Sequence, residues 1–332
     1  MAAAWVLAAG GGWVAAVNNP PPRAVVREVL HAVHGLFAGL FWTNPLPSGA
    51  VNPVHALIAG CIAGLGQGLP IGTLGQSFAW AYLLRWSGAP LSDQAAALRC
   101  ACLLGAALGL GALLRAEWSA VWSTLHGRGA APDRGNATSA SAAGPLPAPE
   151  ADVVLLAAVP AFILRWLLRH LTGQLEAAAT VGIFLLLSAQ VLRRAQGWVR
   201  GATETSAAVP PWIAVLAGVG GGLGALPGVS GLAVFLAIAL YGRTAPQAAV
   251  RFALMVATVV SALLGLAAIP GAVAALIPGI VPAAAGAAAG AYAGGLLLRR
   301  WLGRTEDRAM PALASYCEAV GGLMLLFGVF AI

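Results

Sequence analysis

Lysine is missing from this chain, and side chains of either charge are scarce: Asp, Glu and Arg together make up 9% of its 332 residues, as 18 arginines and 11 acids. A soluble domain carries about a quarter of its residues charged. With 60% apolar residues and a mean hydropathy of +0.85, this scarcity excludes an ordinary soluble domain and leaves an integral membrane protein. The lack of lysine accompanies abundant Ala, Gly and Arg, the mark of a GC-rich genome, and carries little functional information. Cysteine is equally sparse: Cys61, Cys100, Cys102 and Cys317 show neither metal-ligand nor disulfide spacing and read as small apolar filler. Period-2 alternation is absent, which excludes strands and predicts an all-α fold. Met1 to Val17 is apolar but lacks the basic start of a signal peptide, and reads as a short membrane or interfacial helix. The net charge of +7 is not a nucleic-acid signature, because Arg193, Arg194, Arg200, Arg299, Arg300, Arg304 and Arg308 lie beside apolar segments. Such clusters fix orientation or touch anionic head groups.

The length has capacity for roughly eight to ten crossings of about 20 residues. Residues 1–50 read as an N-terminal extension of short membrane or interfacial helices, with His31 and His34 on one helix face and no third ligand nearby. Residues 51–115 hold a first Gly/Pro-broken hairpin (64–86) and a span over 95–114. Residues 116–151, rich in Gly, Pro and Ser, read as a flexible extramembrane loop. Residues 152–332 hold spans near 153–171 and 175–192, a second hairpin over 212–241, and further spans near 251–268, 274–298 and 312–331.

The two hairpins read as copies. Gly64-Leu65-Gly66-Gln67-Gly68-Leu69-Pro70-Ile71-Gly72 matches Gly222-Leu223-Gly224-Ala225-Leu226-Pro227-Gly228-Val229-Ser230, and each leads on to a Gln-Ala-Ala run ending in Arg99 or Arg251. Broken segments in corresponding positions of two halves point to a buried polar site in a membrane protein. Backbone opened at that depth must be shielded or face a cavity. Counting one half-segment and about three spans between the hairpins predicts inverted topology. This is a polytopic all-α protein of two repeats.

At the hairpins the sequence resembles undecaprenyl-pyrophosphate phosphatases of the BacA type. Gly64-Leu65, Leu69-Pro70-Ile71 and Gly75 are similar to the family's Glu-Gly-Leu-Thr-Glu-Phe-Leu-Pro-(Val/Ile)-Ser-Ser-Thr-Gly-His motif. Pro227-Gly228-Val229-Ser230 resembles its Pro-Gly-(Phe/Ile/Val)-Ser-Arg-Ser-Gly motif, Ala248-Ala249-Val250-Arg251-Phe252 its Ala-Ala-Ala-Arg-Phe, and Met310 to Tyr316 the start of its last helix. The resemblance implies an inverted-repeat membrane fold, a polyprenyl-phosphate-type lipid as partner and a bacterial cytoplasmic membrane as location, with an organellar membrane as the alternative. By the same resemblance, the family's two carboxylates fall on Ala63 and Gln67, its serines on Gly72 and Thr73, its His on Gln76, and its phosphate-binding Arg on Gly231. Only Ser230 is retained from the second motif's polar set.

Pyrophosphate cleavage needs positive charge on the transferring group and a base beside the nucleophile. Gln67 and Gln76 do not titrate, so efficient hydrolysis is not expected. Weak catalytic candidates are Thr73, Ser230, Glu176 and Glu318, the last two as ionisable residues in or beside spans. Candidates for ligand binding are Gln67, Thr73, Gln76, Ser230, Arg99 and Arg251; Glu318 is expected to pair with Arg251 or Arg99. Neither a metal set nor a cofactor is called for. Three functions follow: a non-hydrolytic lipid-binding or lipid-moving member of the family; an accessory subunit of a membrane complex or a homo-oligomer, packing through small residues such as the Ala/Gly run 283–295; and an active phosphatase with a relocated carboxylate.

Overall fold

The computed structural model describes residues 53–73, 76, 93–125, 151–172, 175, 177–201, 205–273, 279–304 and 306–330. Among these, ten α-helices follow in order: α1 (Pro53–Gly68), α2 (Asp93–Leu113), α3 (Arg115–Leu125), α4 (Ala151–Thr172), α5 (Ala178–Gly201), α6 (Pro211–Gly222), α7 (Gly231–Tyr241), α8 (Pro246–Val273), α9 (Ile280–Arg304) and α10 (Glu306–Phe330). The described residues form no strand; an isolated bridge joins Ser206 and Thr244. The fold is all-helical and the protein is an integral membrane protein. Helices α4, α5, α8, α9 and α10 are long and apolar enough to cross a bilayer, and α2 with α3 makes a sixth candidate bent by 79°.

Within the described residues the spans expected from hydropathy fall on helices, but their ends shift. Helix α8 starts at Pro246, where a proline at the first helical position loses no hydrogen bond. Helix α5 runs on to Gly201, past Arg193 and Arg194, because charge ends an apolar window without ending a helix. The loop expected from residue 116 needs correction: residues 116–125 belong to α3, which turns off α2 at the buried Leu114. The extension 1–50, with its histidines, and most of the first hairpin beyond Thr73 lie outside the described residues.

Backbone proximity organises the bundle. Cβ atoms at Gly60, Gly64 and Gly68 of α1 would collide with the carbonyls of Ala283, Ala287 and Ala291 on α9. At Gly105 and Gly109 of α2 they would strike those of Ala284 and Ala288. Both helices therefore run parallel to α9 and so close that only glycine fits, the small-residue packing by which membrane helices associate. One face of the Ala/Gly run of α9, with Ala283, Ala284, Ala287, Ala288 and Ala291, packs inside the chain, while Ala285, Ala289 and Ala293 are exposed. Helix α8 runs the other way: near its start Arg251 faces Glu117 of α3, and near its end the Gly265 carbonyl accepts from Cys100 Sγ at 3.3 Å.

Helices α6 and α7 are 12 and 11 residues long, about 18 and 16 Å at 1.5 Å per residue, short of a hydrocarbon core of about 30 Å. They form an antiparallel hairpin: Gly221 lies on Phe235 near the tip, and Gly242 on Ile213 at the base. At the base, Ser206 N donates to the Arg243 carbonyl and Ala245 N to the Ser206 carbonyl, both at 2.8 Å. The chain then enters α8 directly.

Candidate functional site

Each glycine-rich tip has a specific reason for its shape. In the second, Leu226-Pro227-Gly228-Val229 closes with Val229 N donating to the Leu226 carbonyl at 3.1 Å, and Gly228 has φ +99°. Proline second and a positive-φ glycine third are the requirements of a type II turn. In the first, α1 ends at Gly68; Ile71 N donates to the Leu69 carbonyl at 2.8 Å across Pro70, and Gly72 takes φ +78°. The two tips touch. A Cβ on Gly72 would stand 2.7 Å from the Gly228 carbonyl oxygen and 3.6 Å from Ser230 N.

Polar side chains around this junction are engaged in holding backbone. Ser188, from the middle of α5, donates through Oγ to the Gly228 carbonyl at 3.0 Å and accepts from Ser230 N at 3.1 Å. Ser230 is 2% exposed and caps α7, its Oγ accepting from Ala233 N at 3.2 Å; a cap of this kind contributes about 1 kcal/mol. Gln76 is 1% exposed. It donates through Nε2 to the Ile71 carbonyl at 3.1 Å and accepts through Oε1 from the Tyr316 hydroxyl at 2.7 Å. Thr73 is half-buried and folds back against Gly66, and Gln67 is half-buried on α1. Tyr316 ties the first tip to α10.

The positively charged group at this junction comes from a residue that the sequence reading passed over. Arg165 lies on α4 in line with the buried Ala158 and Ala161, while Ile163, Trp166 and Leu167 face outward. Its Nε and Nη2 both donate to the Gly221 carbonyl at 3.2 Å. The same guanidinium covers Gly224 and Gly231: a Cβ on Gly224 would be 2.5 Å from Nη2, and one on Gly231 would overlap it. Gly231 is the position at which the resemblance puts the phosphate-binding Arg. The signal was available, since Arg165 is an ionisable residue inside an apolar run, the criterion that selected Glu176 and Glu318.

The remaining candidates go elsewhere. Glu318 pairs with neither Arg251 nor Arg99, a correction to the expected partner: α5 and α10 pack so that Arg193 meets it in a two-pronged ion pair, Nε to Oε1 at 2.6 Å and Nη2 to Oε2 at 2.5 Å. Arg251 lies 3.8 Å from the buried Glu117, whose other cation, Arg299, is at 3.2 Å and also donates to the Leu113 carbonyl at 3.4 Å. This cluster joins α3, α8 and α9. Glu117 fell within the expected loop and went unnoticed for that reason. Arg99 is exposed on α2, and Glu176 lies outside the described residues.

A divalent cation does not fit the residues present at the motif positions. Ala63 offers no donor and Gln67 one neutral amide oxygen, whereas hard cations want carboxylates. Among the described residues, no three His, Cys, Asp or Glu side chains come together.

No individually curated protein matches the chain. The family model described as bacitracin resistance protein BacA matches residues 56–323, a stretch that contains both glycine-rich turns, Arg165, Gln76 and Tyr316. That match covers well over half of the sequence, and the chain belongs to the BacA family, as an undecaprenyl-pyrophosphate-phosphatase-like integral membrane protein.

Proposed function

We propose that this protein binds a polyprenyl-phosphate-type lipid at the junction of its two hairpin tips and has lost efficient pyrophosphate hydrolysis. The observation that carries this reading is the state of the hydroxyls and amides at the junction. Ser188, Ser230 and Gln76 are bonded to backbone or to Tyr316, and no described carboxylate or histidine stands at a motif position to act as base. A hydroxyl without a base beside it is a poor nucleophile at neutral pH. Of the carboxylates that could have relocated, Glu318 is occupied by Arg193, and Glu117 by Arg251 and Arg299.

The fold favours two hairpins entering from opposite faces of the membrane. Helix α1 starts on the side where α9 begins, while the α6–α7 hairpin opens toward the start of α8, on the side where α9 ends. Tips that meet head to head, each with a positive-φ glycine, support the inverted-repeat reading. The inward face of the α9 small-residue run packs on α1 and α2, which leaves the accessory-subunit reading only the exposed Ala285, Ala289 and Ala293 of that run.

Purified protein incubated with undecaprenyl pyrophosphate and a divalent cation tests the proposal, with phosphate release measured beside a Ser230→Ala control. The expected result is no release above the control, together with saturable binding of the lipid. Release that the substitution abolishes would refute the loss of hydrolysis.

A further inference from the structure

We infer that Arg165 is the phosphate-recognising cation of this site, delivered from α4 into the volume vacated by Gly231; the inference rests on the lipid-phosphate reading above. Three observations carry it. The first is the placement of the charge. The guanidinium lies over the first residue of α7 and over Gly224, and at both positions only the absence of a Cβ leaves room for it. The second is its incomplete pairing. A guanidinium has five N–H donors, and here Nε and Nη2 converge on the one carbonyl of Gly221. No carboxylate among the described residues meets it. A charge on a spanning helix is costly without a partner.

The third observation is electrostatic. The start of α7 carries the positive end of a helix dipole, and the cation sits directly against it. That arrangement is repulsive with protein alone and becomes attractive when an anion lies between, accepting from guanidinium and backbone N–H together. Bonding the Gly221 carbonyl also closes the C-terminal end of α6, where a cation is favourable. That structural role accounts for one acceptor and leaves the cation at the start of α7 unexplained. The ligand chemistry is therefore a phosphate group, either as the head of a long-chain polyprenyl phosphate or as the free ion.

The test uses the full chain in lipid nanodiscs, with binding of a polyprenyl monophosphate measured for the parent, Arg165→Gln, Gly231→Leu and the double variant Arg165→Gln/Gly231→Arg. Arg165→Gln should weaken binding at least about tenfold, the scale of a lost charge-assisted hydrogen bond. Gly231→Leu, which keeps the arginine but fills its volume, should weaken it comparably. The double variant should regain most of the affinity, because it returns a guanidinium from the other wall. Competition by inorganic phosphate would assign recognition to the phosphate alone, and its failure to compete would assign it to the lipid ester; either agrees with Arg165 as the cation. Binding by the folded Arg165→Gln protein equal to the parent's would overturn the role of Arg165 and leave the lipid-binding function standing. A parent that binds neither probe would overturn both. If Arg165→Gln does not fold, Gly231→Leu decides alone: unchanged affinity would reject the inference.

Discussion

Replacing Gly228 by alanine should be among the most damaging single-methyl additions in this protein. Its φ of +99° lies where side-chain-bearing residues are strained, at a cost of about 1–2 kcal/mol. The added methyl would stand 2.6 Å from the Val181 carbonyl oxygen, 2.9 Å from Phe184 Cβ and 3.1 Å from Leu185 N. Two of these neighbours are backbone atoms of α5, so relief requires moving the helix or the tip, and overpacking of this kind costs about 1–3 kcal/mol more. Together the loss is about 2–5 kcal/mol. Moving the tip would also disturb the Ser188 bond to the Gly228 carbonyl and the contact with Gly72. The comparison that isolates the effect is Gly111→Ala on α2, where a Cβ would meet nothing within 4 Å. There the methyl should stabilise by up to about 1 kcal/mol through helix propensity. Thermal unfolding in detergent, followed by loss of the monodisperse size-exclusion peak, should show opposite shifts for the two variants. Equal midpoints would refute the described tip geometry.

Ser188→Ala leaves the Gly228 carbonyl and Ser230 N without the hydroxyl that joins them; a loss of about 1–3 kcal/mol is expected, measured in the same unfolding assay. Tyr316→Phe removes only the hydroxyl that Gln76 accepts at 2.7 Å, and should lower stability by about 1–2 kcal/mol while lipid affinity changes less than it does for Arg165→Gln. Glu117→Gln leaves Arg251 and Arg299 facing each other across a neutral amide. Their side chains are 21% and 30% exposed, so the cost should fall below that of breaking a fully buried pair, roughly 1–3 kcal/mol, and the midpoint should recover partly with added salt. Glu318→Gln should lower the unfolding midpoint and leave lipid binding unchanged, since its carboxylate is held by Arg193; an unchanged midpoint would refute the weight given to that pair.

Much of the architecture was legible from composition and punctuation. Apolar runs predicted the positions of the long helices, and Leu-Pro-Gly in the second hairpin predicted a break that the type II turn at Pro227-Gly228 realises. Helix ends were less legible: Arg193 and Arg194 interrupt hydropathy but not hydrogen bonding, so α5 continues beyond them. Pairing was least legible, because it depends on which helix faces which. Glu318 finds Arg193 across an interface between α5 and α10, distant in sequence, and Glu117 finds two arginines from α8 and α9. The resemblance puts the family's arginine at Gly231. It could not reveal that the same volume holds a guanidinium from α4, since a replacement in space leaves no mark at the aligned position.

The glycine stripes that let α1 and α2 close on α9 also constrain the order of biogenesis. Their partner carbonyls, from Ala283 to Ala291, belong to a segment made more than two hundred residues after Gly60. A nascent chain that has inserted only its first half therefore holds two glycine-lined helices in lipid with no backbone to meet, and glycine offers lipid little contact of its own. Until α9 leaves the ribosome, the glycine faces of α1 and α2 lack the backbone they pack on in the folded protein. Truncation before residue 280 should shorten the lifetime of the whole N-terminal half in the cell.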